Sequence, residues 1–264
     1  MSEFRFNRKH MMRQVSFRLK TIHLLCLVLL TNSMTVFADS TPAASATEKE
    51  DKIDYKLSLS DYSTQSIHAN DINLRVVSEN QRGWIGYYRE SSSKFEQWRG
   101  GYERTDRLLA ADIDTSLQLA DHGFFGGSVT ATFGDPFFGI IGYGRTNLKP
   151  YANLNFDPND AITLGAGYKR EDDSSITLFA VRDNRVVPGQ QNLHLLMRSP
   201  LPNHQSISLD IFSKSGPADQ GQSIKGAGAS ITYDWRSLFV RLAYDPKVNF
   251  TQEHMMRASI AMHF

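Results

Sequence analysis

Few side chains in this 264-residue sequence combine the residue type and the spacing that chemistry requires. The clearest fragment is Asn203-His204-Gln205-Ser206, because side chains two apart on a strand share a face and a histidine there can take the proton of a serine hydroxyl. Asp112 and Asp114 have the same spacing, which presents two carboxylates to one side of a strand, the starting geometry for the acid and base of glycoside cleavage. Gly139, Gly142 and Gly144 lie in a glycine-rich stretch from Gly123 to Asn147 that can be forced onto a phosphate-loop pattern. Such a loop leads into a helix, and no helix-period segment follows Gly144, so these glycines read as places of sheet curvature and close backbone approach. His68, His122, His194, His204, His254 and His263 are scattered, without the paired spacing that presents two imidazoles to one ion, so no metal site is expected.

The pair His204 and Ser206 resembles the His-x-Ser pair of the outer-membrane phospholipase A family, which implies a histidine base beside a serine nucleophile. The family's neighbouring motifs are missing, no asparagine stands at the expected distance downstream to orient His204, and the fragment falls in what reads as a short turn. A nucleophile needs a base and the base an orienting group. His204 and Ser206 are therefore catalytic candidates whose site the sequence does not complete, and Asp112 with Asp114 reads as lining.

The elements that would carry these residues are strands. From Ile53 to Phe264 apolar and polar residues alternate in runs of roughly eight to eleven, broken by Asp, Asn, Gly, Ser and Pro clusters. Ile72, Leu74 and Val76 share one face against Asn73 and Arg75; Leu109, Ala111, Ile113, Leu117 and Leu119 oppose Asp112 and Asp114. The same division sets Leu164 against Lys169, Leu195 against Arg198, Leu209 against Asp210, and Leu242 against Arg241. In a closed barrel crossing lipid the apolar face points outward and the ionic face lines the interior, with every backbone hydrogen bond satisfied. Aromatics recur near run ends, at Tyr55, Trp84, Tyr88, Trp98, Tyr102, Tyr151, Tyr168, Tyr233, Trp235 and Tyr244, as expected of rings at the two interfaces.

The last eleven residues, HMMRASIAMHF, put Met256, Ala258, Ile260, Met262 and Phe264 on one face and Arg257, Ser259, Ala261 and His263 on the other. This resembles the terminal strand of Gram-negative outer-membrane β-barrels, and the resemblance implies that Phe264, Met262 and Ile260 are read by the barrel assembly machinery. The expected fold is all-β, a closed antiparallel transmembrane barrel. Some 212 residues remain from Ile53 onward, and a strand of ~10 residues with its share of turns suggests ~12 strands, with fourteen the next choice. Over the last third, connections alternate between short and long, with long ones at 183–190, 214–222 and 245–252.

Arg5, Arg8, Lys9, Arg13, Arg18 and Lys20 precede an apolar run from Ile22 to Leu30, with Glu3 the only acid before them. That is the pattern of an export signal, the run being too short for the ~20 residues of a membrane helix. Val36-Phe37-Ala38 places modest side chains before a cut after Ala38, and Met11 or Met12 would serve as a start leaving a leader of conventional size. Residues 39–52 read as a flexible periplasmic lead-in. The single cysteine, Cys26, lies inside the apolar run after Leu24 and Leu25, not after the small residues lipid attachment wants. Without the leader, 23 bases face 27 acids, a net charge of −4, which lacks the excess a nucleic-acid binder needs.

The inward charges carry the functional expectation. Arg75, Asp112, Asp114, Lys169, Arg198, Asp210, Arg241 and Arg257 include both signs, so they either set a transverse field across a water-filled lumen or pair and plug it. The leading expectation is a monomeric narrow channel for small hydrophilic solutes, selected by those charges, in contact with outer-membrane lipids and needing no cofactor. Two other classes stand beside it. One is an enzyme acting on envelope lipids or peptides; the other is a structural or binding barrel whose loops at 213–222 and 182–190 meet an outside partner.

Overall fold

The computed structural model describes residues 53–264 apart from 156, 219, 220 and 236. The leader, the cut after Ala38, Cys26 and the lead-in to Lys52 lie outside the described residues.

Fourteen antiparallel strands form one closed ring in which each strand pairs with its sequence neighbours and the last pairs with the first. They are β1 (Asp54–Ser63), β2 (His68–Ser78), β3 (Gln81–Glu90), β4 (Glu96–Leu108), β5 (Ala111–Ala120), β6 (Phe124–Phe133) and β7 (Phe137–Thr146). The second half comprises β8 (Ala161–Lys169), β9 (Ser175–Asp183), β10 (Gln191–Leu201), β11 (Gln205–Pro217), β12 (Ser223–Trp235), β13 (Leu238–Pro246) and β14 (His254–His263). Closure leaves no strand edge unpaired. The expectation of twelve strands is corrected to fourteen. Turns as short as the two residues 79–80 and 109–110 use less chain per hairpin than the length argument allowed.

The six turns at one end of the ring span two to five residues, and both chain ends of the barrel lie there. We call this the turn end; the opposite, loop end carries the connections 64–67, 91–95, 121–123, 147–160, 184–190, 218–222 and 247–253. The outlying length is the fourteen-residue connection between β7 and β8. Strands β11 and β12 run to Pro217 and from Ser223, so the loop expected at 213–222 shrinks to five residues.

Alternation decides the two faces as the sequence reading expected. Ile72, Leu74, Leu117, Leu164, Leu178 and Leu242 are exposed on the outside, a belt that hydrocarbon accepts and water penalises. They do not pack into a dry centre. Seven of the ten aromatics picked from the sequence stand outward and exposed, but Trp84, Tyr88 and Tyr151 are corrected to the interior. Trp84 and Tyr88 share the inward register of Arg75 and Asp71, and Tyr151 belongs to the long loop. Leu109 also departs from expectation: it is a turn residue with φ of 55°, and β5 starts after it.

Candidate functional site

The long connection 147–160 does not stand away from the barrel; it turns into the lumen and crosses it. Gly144, at an inward position of β7, makes room for it. A Cβ on Gly144 would sit 2.6 Å from the carbonyl oxygen of Asn159, so the returning chain passes where no other residue leaves space. Asp160 closes the neck: its carboxylate accepts the Thr146 hydroxyl at 2.5 Å and pairs with Arg185 at 2.9 Å.

From that neck the loop is pinned to distant strands. Gln97 of β4, fully buried, donates to the Pro150 carbonyl at 3.0 Å and accepts from the Ala152 amide at 2.8 Å. Tyr151 stacks on Phe124 of β6 with ring centroids 4.1 Å apart. Arg99, two residues along β4 on the same face, donates to the Ala152 carbonyl at 3.0 Å and forms a buried ion pair with Asp71 of β2. The rings of Trp84, Tyr88 and Tyr151 each stand 5.9 Å from its guanidinium carbon, within cation–π reach. Ala152 and Leu154 then pack on the buried cluster of Tyr62, Ala69, Tyr88, Val248 and Met255, so the loop spans the ring from β8 to the β1–β2 wall.

The return limb is held by a second set. Asp157 accepts from the Asn192 amide at 2.6 Å and meets Nε2 of His194 at 3.1 Å, both on β10. Nδ1 of His194 faces Asp210 of β11 at 3.1 Å, and its ring lies between Phe179 and Phe212. An imidazole donating at both nitrogens satisfies both carboxylates. Beside it, Lys214 and Asp245 form a buried ion pair, with the Lys214 ammonium also donating to the Lys247 carbonyl at 3.4 Å.

Beside this plug the wall carries bases without counter-ions. Lys56 of β1, Arg75 of β2, Arg241 of β13 and Arg257 of β14 occupy inward positions on four consecutive strands around the closure of the ring. Among the described residues none of the four makes an ion pair. Neutral groups hold three of them: Lys56 lies 3.4 Å over the Phe239 ring, Arg241 donates to the Thr232 hydroxyl at 3.0 Å, and Arg257 donates to Ser259 at 3.2 Å and to the Leu154 carbonyl at 3.3 Å.

The residues singled out from sequence therefore separate into groups. Arg75, Arg241 and Arg257 come together, joined by Lys56, which the sequence reading missed although its alternation with Tyr55 and Leu57 marked it as inward. Asp112 and Asp114 face inward but are engaged, Asp112 with Arg107 at 2.7 Å and Asp114 with the Thr105 hydroxyl. Asp210 is bound to His194. Lys169 and Arg198 keep the inward register but are exposed near the turn end, Lys169 pairing with Asp173 of its turn at 2.7 Å. His204 and Ser206 do not share a strand: His204 is a turn residue with φ of 58° and β11 starts after it, as the short turn expected there implied, so the pair lacks the face-sharing geometry of a base beside a nucleophile. Ile260, Met262 and Phe264 follow the outward register of the last strand, with Phe264 stacked on Tyr55 at 5.7 Å.

Sequence reasoning also missed Gln97, Arg99, Asp157 and His194 as a set. Gln97 and Arg99 were legible as inward by their alternation with the outward Trp98. Nothing in the sequence said that a loop would come down to meet them.

No family model and no curated protein matches the sequence. Among solved structures, the outer membrane protein Omp33 of Acinetobacter baumannii aligns with a TM-score of 0.51 at 9% identity, over 80% of this chain and 97% of that one. OmpF of Salmonella typhi aligns at 0.43 and 10% identity over 81% and 97% of the two chains. OprD of Pseudomonas aeruginosa aligns at 0.41 and 7% identity over 82% and 94%. The likeness to Omp33 is one of fold.

Proposed function

We propose that the chain is exported, loses its first 38 residues, and inserts as a monomeric outer-membrane barrel that passes small hydrophilic solutes through a lumen narrowed by the 147–160 loop. The carrying observation is the inward loop itself, pinned through Gln97, Arg99, Asn192 and His194 across a ring of fourteen strands. Side chains alone fill a ring of about eight strands, so a fourteen-strand ring has interior to spare, and a polar interior holds water. A loop fastened across part of that interior sets a size limit without closing the barrel into a solid core. The exposed apolar belt supports a membrane location, and the description of the fold-related Acinetobacter baumannii protein as an outer membrane protein accords with it. The barrel assembly machinery would engage the last strand through Phe264, Met262 and Ile260.

The test is current. Folded protein in a planar bilayer is expected to give small, discrete conductance steps, and replacing Asp157 by Ala, which releases the loop's return limb, is expected to enlarge them. Protein that shifts on heating in detergent gels, and so is folded, yet carries no current at any voltage overturns the channel.

A further inference from the structure

We infer that Lys56, Arg75, Arg241 and Arg257 form a binding site in the lumen wall for a small solute bearing carboxylate or phosphate oxygens. The inference rests on the channel reading and names the solute class that such a channel takes.

The first argument is charge that the fold leaves uncompensated. Arg75 stands directly across from Lys56 in the β1–β2 register. Arg241 is within electrostatic reach of both Arg257 and Arg75, and Lys56 of both Arg241 and Arg75. Like charges opposite one another on neighbouring strands destabilise a sheet. Elsewhere in the lumen the opposite choice is made: Arg99 has Asp71, Lys214 has Asp245, Arg107 has Asp112. Four bases kept together without a partner keep a repulsion that a bound anion removes.

The second argument is that the nearby acids are directed at histidines rather than paired with the bases. Asp54 and Asp234 reach Lys56 electrostatically without an ion pair; Asp54 hydrogen-bonds His263 at 2.9 Å, and Asp234 stands 3.6 Å from the other nitrogen of that ring. Asp210 reaches Arg241 in the same way and is bound to His194 at 3.1 Å. Each histidine draws a carboxylate aside from the bases.

The third is the donor geometry. The contact that fixes Arg241 uses its Nε, and the terminal nitrogens of its guanidinium, a planar fork of donors, make no hydrogen bond among the described residues. Arg75 makes no hydrogen bond or ion pair among the described residues. Planar forks match two oxygens of a carboxylate or phosphate and discriminate them from a spherical halide. Across the ring, seven strands from β1, Thr163, Gly165 and Gly167 at inward positions of β8 carry no charge, and Lys169 at its turn end is paired with Asp173. Unpaired bases on the β13–β2 wall facing that uncharged stretch give a field that steers an anion to the bases.

The experiment uses the full barrel refolded in detergent and inserted in planar bilayers under a gradient of KCl. Anion preference in the reversal potential is expected. Potassium citrate and inorganic phosphate, added separately, are expected to reduce the chloride current saturably, and the stronger of the two identifies the oxygen source; uncharged glucose is expected to leave it unchanged. Arg75→Gln and Arg241→Gln are each expected to weaken the block about tenfold, the value of one charge-assisted hydrogen bond. Arg75→Lys keeps the anion preference and weakens the block, which separates fork geometry from charge. A barrel that conducts without ion preference and ignores both anions overturns the site and leaves the channel standing. A barrel that does not conduct overturns the channel, and calorimetric titration of the same protein with citrate and phosphate then decides the site. Heat that disappears when Arg75→Gln and Arg241→Gln are combined supports it, and no heat from either anion overturns it.

Discussion

The two sides of this lumen treat charge in opposite ways. At the loop end, Arg99 with Asp71 and Lys214 with Asp245 are buried and paired, and His194 sits between two carboxylates. Toward the turn end of the β13–β2 wall, Lys56, Arg75 and Arg241 are half-buried and unpaired. Burying an ion without a partner costs several kcal/mol, so charges sealed beneath a packed loop must be paired. A charge that lines a wet interior keeps its hydration and need not be. Pairing therefore marks structure here, and its absence marks the surface left to a solute. Arg257 stands at the border, donating to the loop through one nitrogen while belonging to the unpaired group.

The largest expected effect breaks the paired side. Arg99→Ala leaves Asp71 buried without a counter-ion and removes the Ala152 contact, which should cost about 3–5 kcal/mol in urea unfolding of the detergent-folded barrel. Asp157→Ala takes away an acceptor shared by Asn192 and His194 and should cost about 1.5–3 kcal/mol, with faster proteolysis inside 147–160 as its signature. Gly144→Ala forces a methyl within 2.6 Å of the Asn159 carbonyl and should cost about 1–3 kcal/mol while raising conductance, because the loop must shift to admit it.

A smaller effect concerns the outer rim, where the Glu253 carboxylate accepts the hydroxyls of Ser66 and Thr64 and ties the last loop to the first. Those hydrogen bonds hold its carboxyl below the ordinary carboxylate value, with Ser66 the larger cause. A depressed folded-state value means that the tie is fully present above the ordinary value and is lost as pH falls through the lower one. Protection of the 64–67 amides, taken relative to their intrinsic exchange at each pH, should therefore fall in acid, and Glu253→Gln should remove that dependence. The smallest effect is the sharpest for the comparison: Arg75→Gln should change stability by no more than about 0.5 kcal/mol, since no ion pair is lost. A loss as large as that of Arg99→Ala would erase the distinction between the two sides.

Much of the architecture was legible in particular residues. The alternation of Met256, Ala258, Ile260 and Met262 with Arg257, Ser259 and Ala261 fixes which side of β14 meets lipid, because a strand has period two whatever its neighbours are. Arg75, Arg241 and Arg257 were read as inward on the same ground. The strand number was not legible, since it turns on whether a polar cluster such as 79–80 is a two-residue turn or the start of a loop. The short turn at His204 was legible, but its left-handed backbone was not, because sequence spacing alone does not reveal it.

What the sequence determined by itself is each strand's two faces, and with them a ring greasy outside and ionic within, since side-chain direction is a local property of extended backbone. Only the tertiary structure decided which inward charges meet. Ring closure of β1 on β14 brings Lys56 and Arg75 to Arg241 and Arg257, and the descent of 147–160 brings Asp157 to His194, contacts between residues far apart in sequence. Local patterning carries no record of such distances, so paired and unpaired charges look alike until the chain has closed on itself.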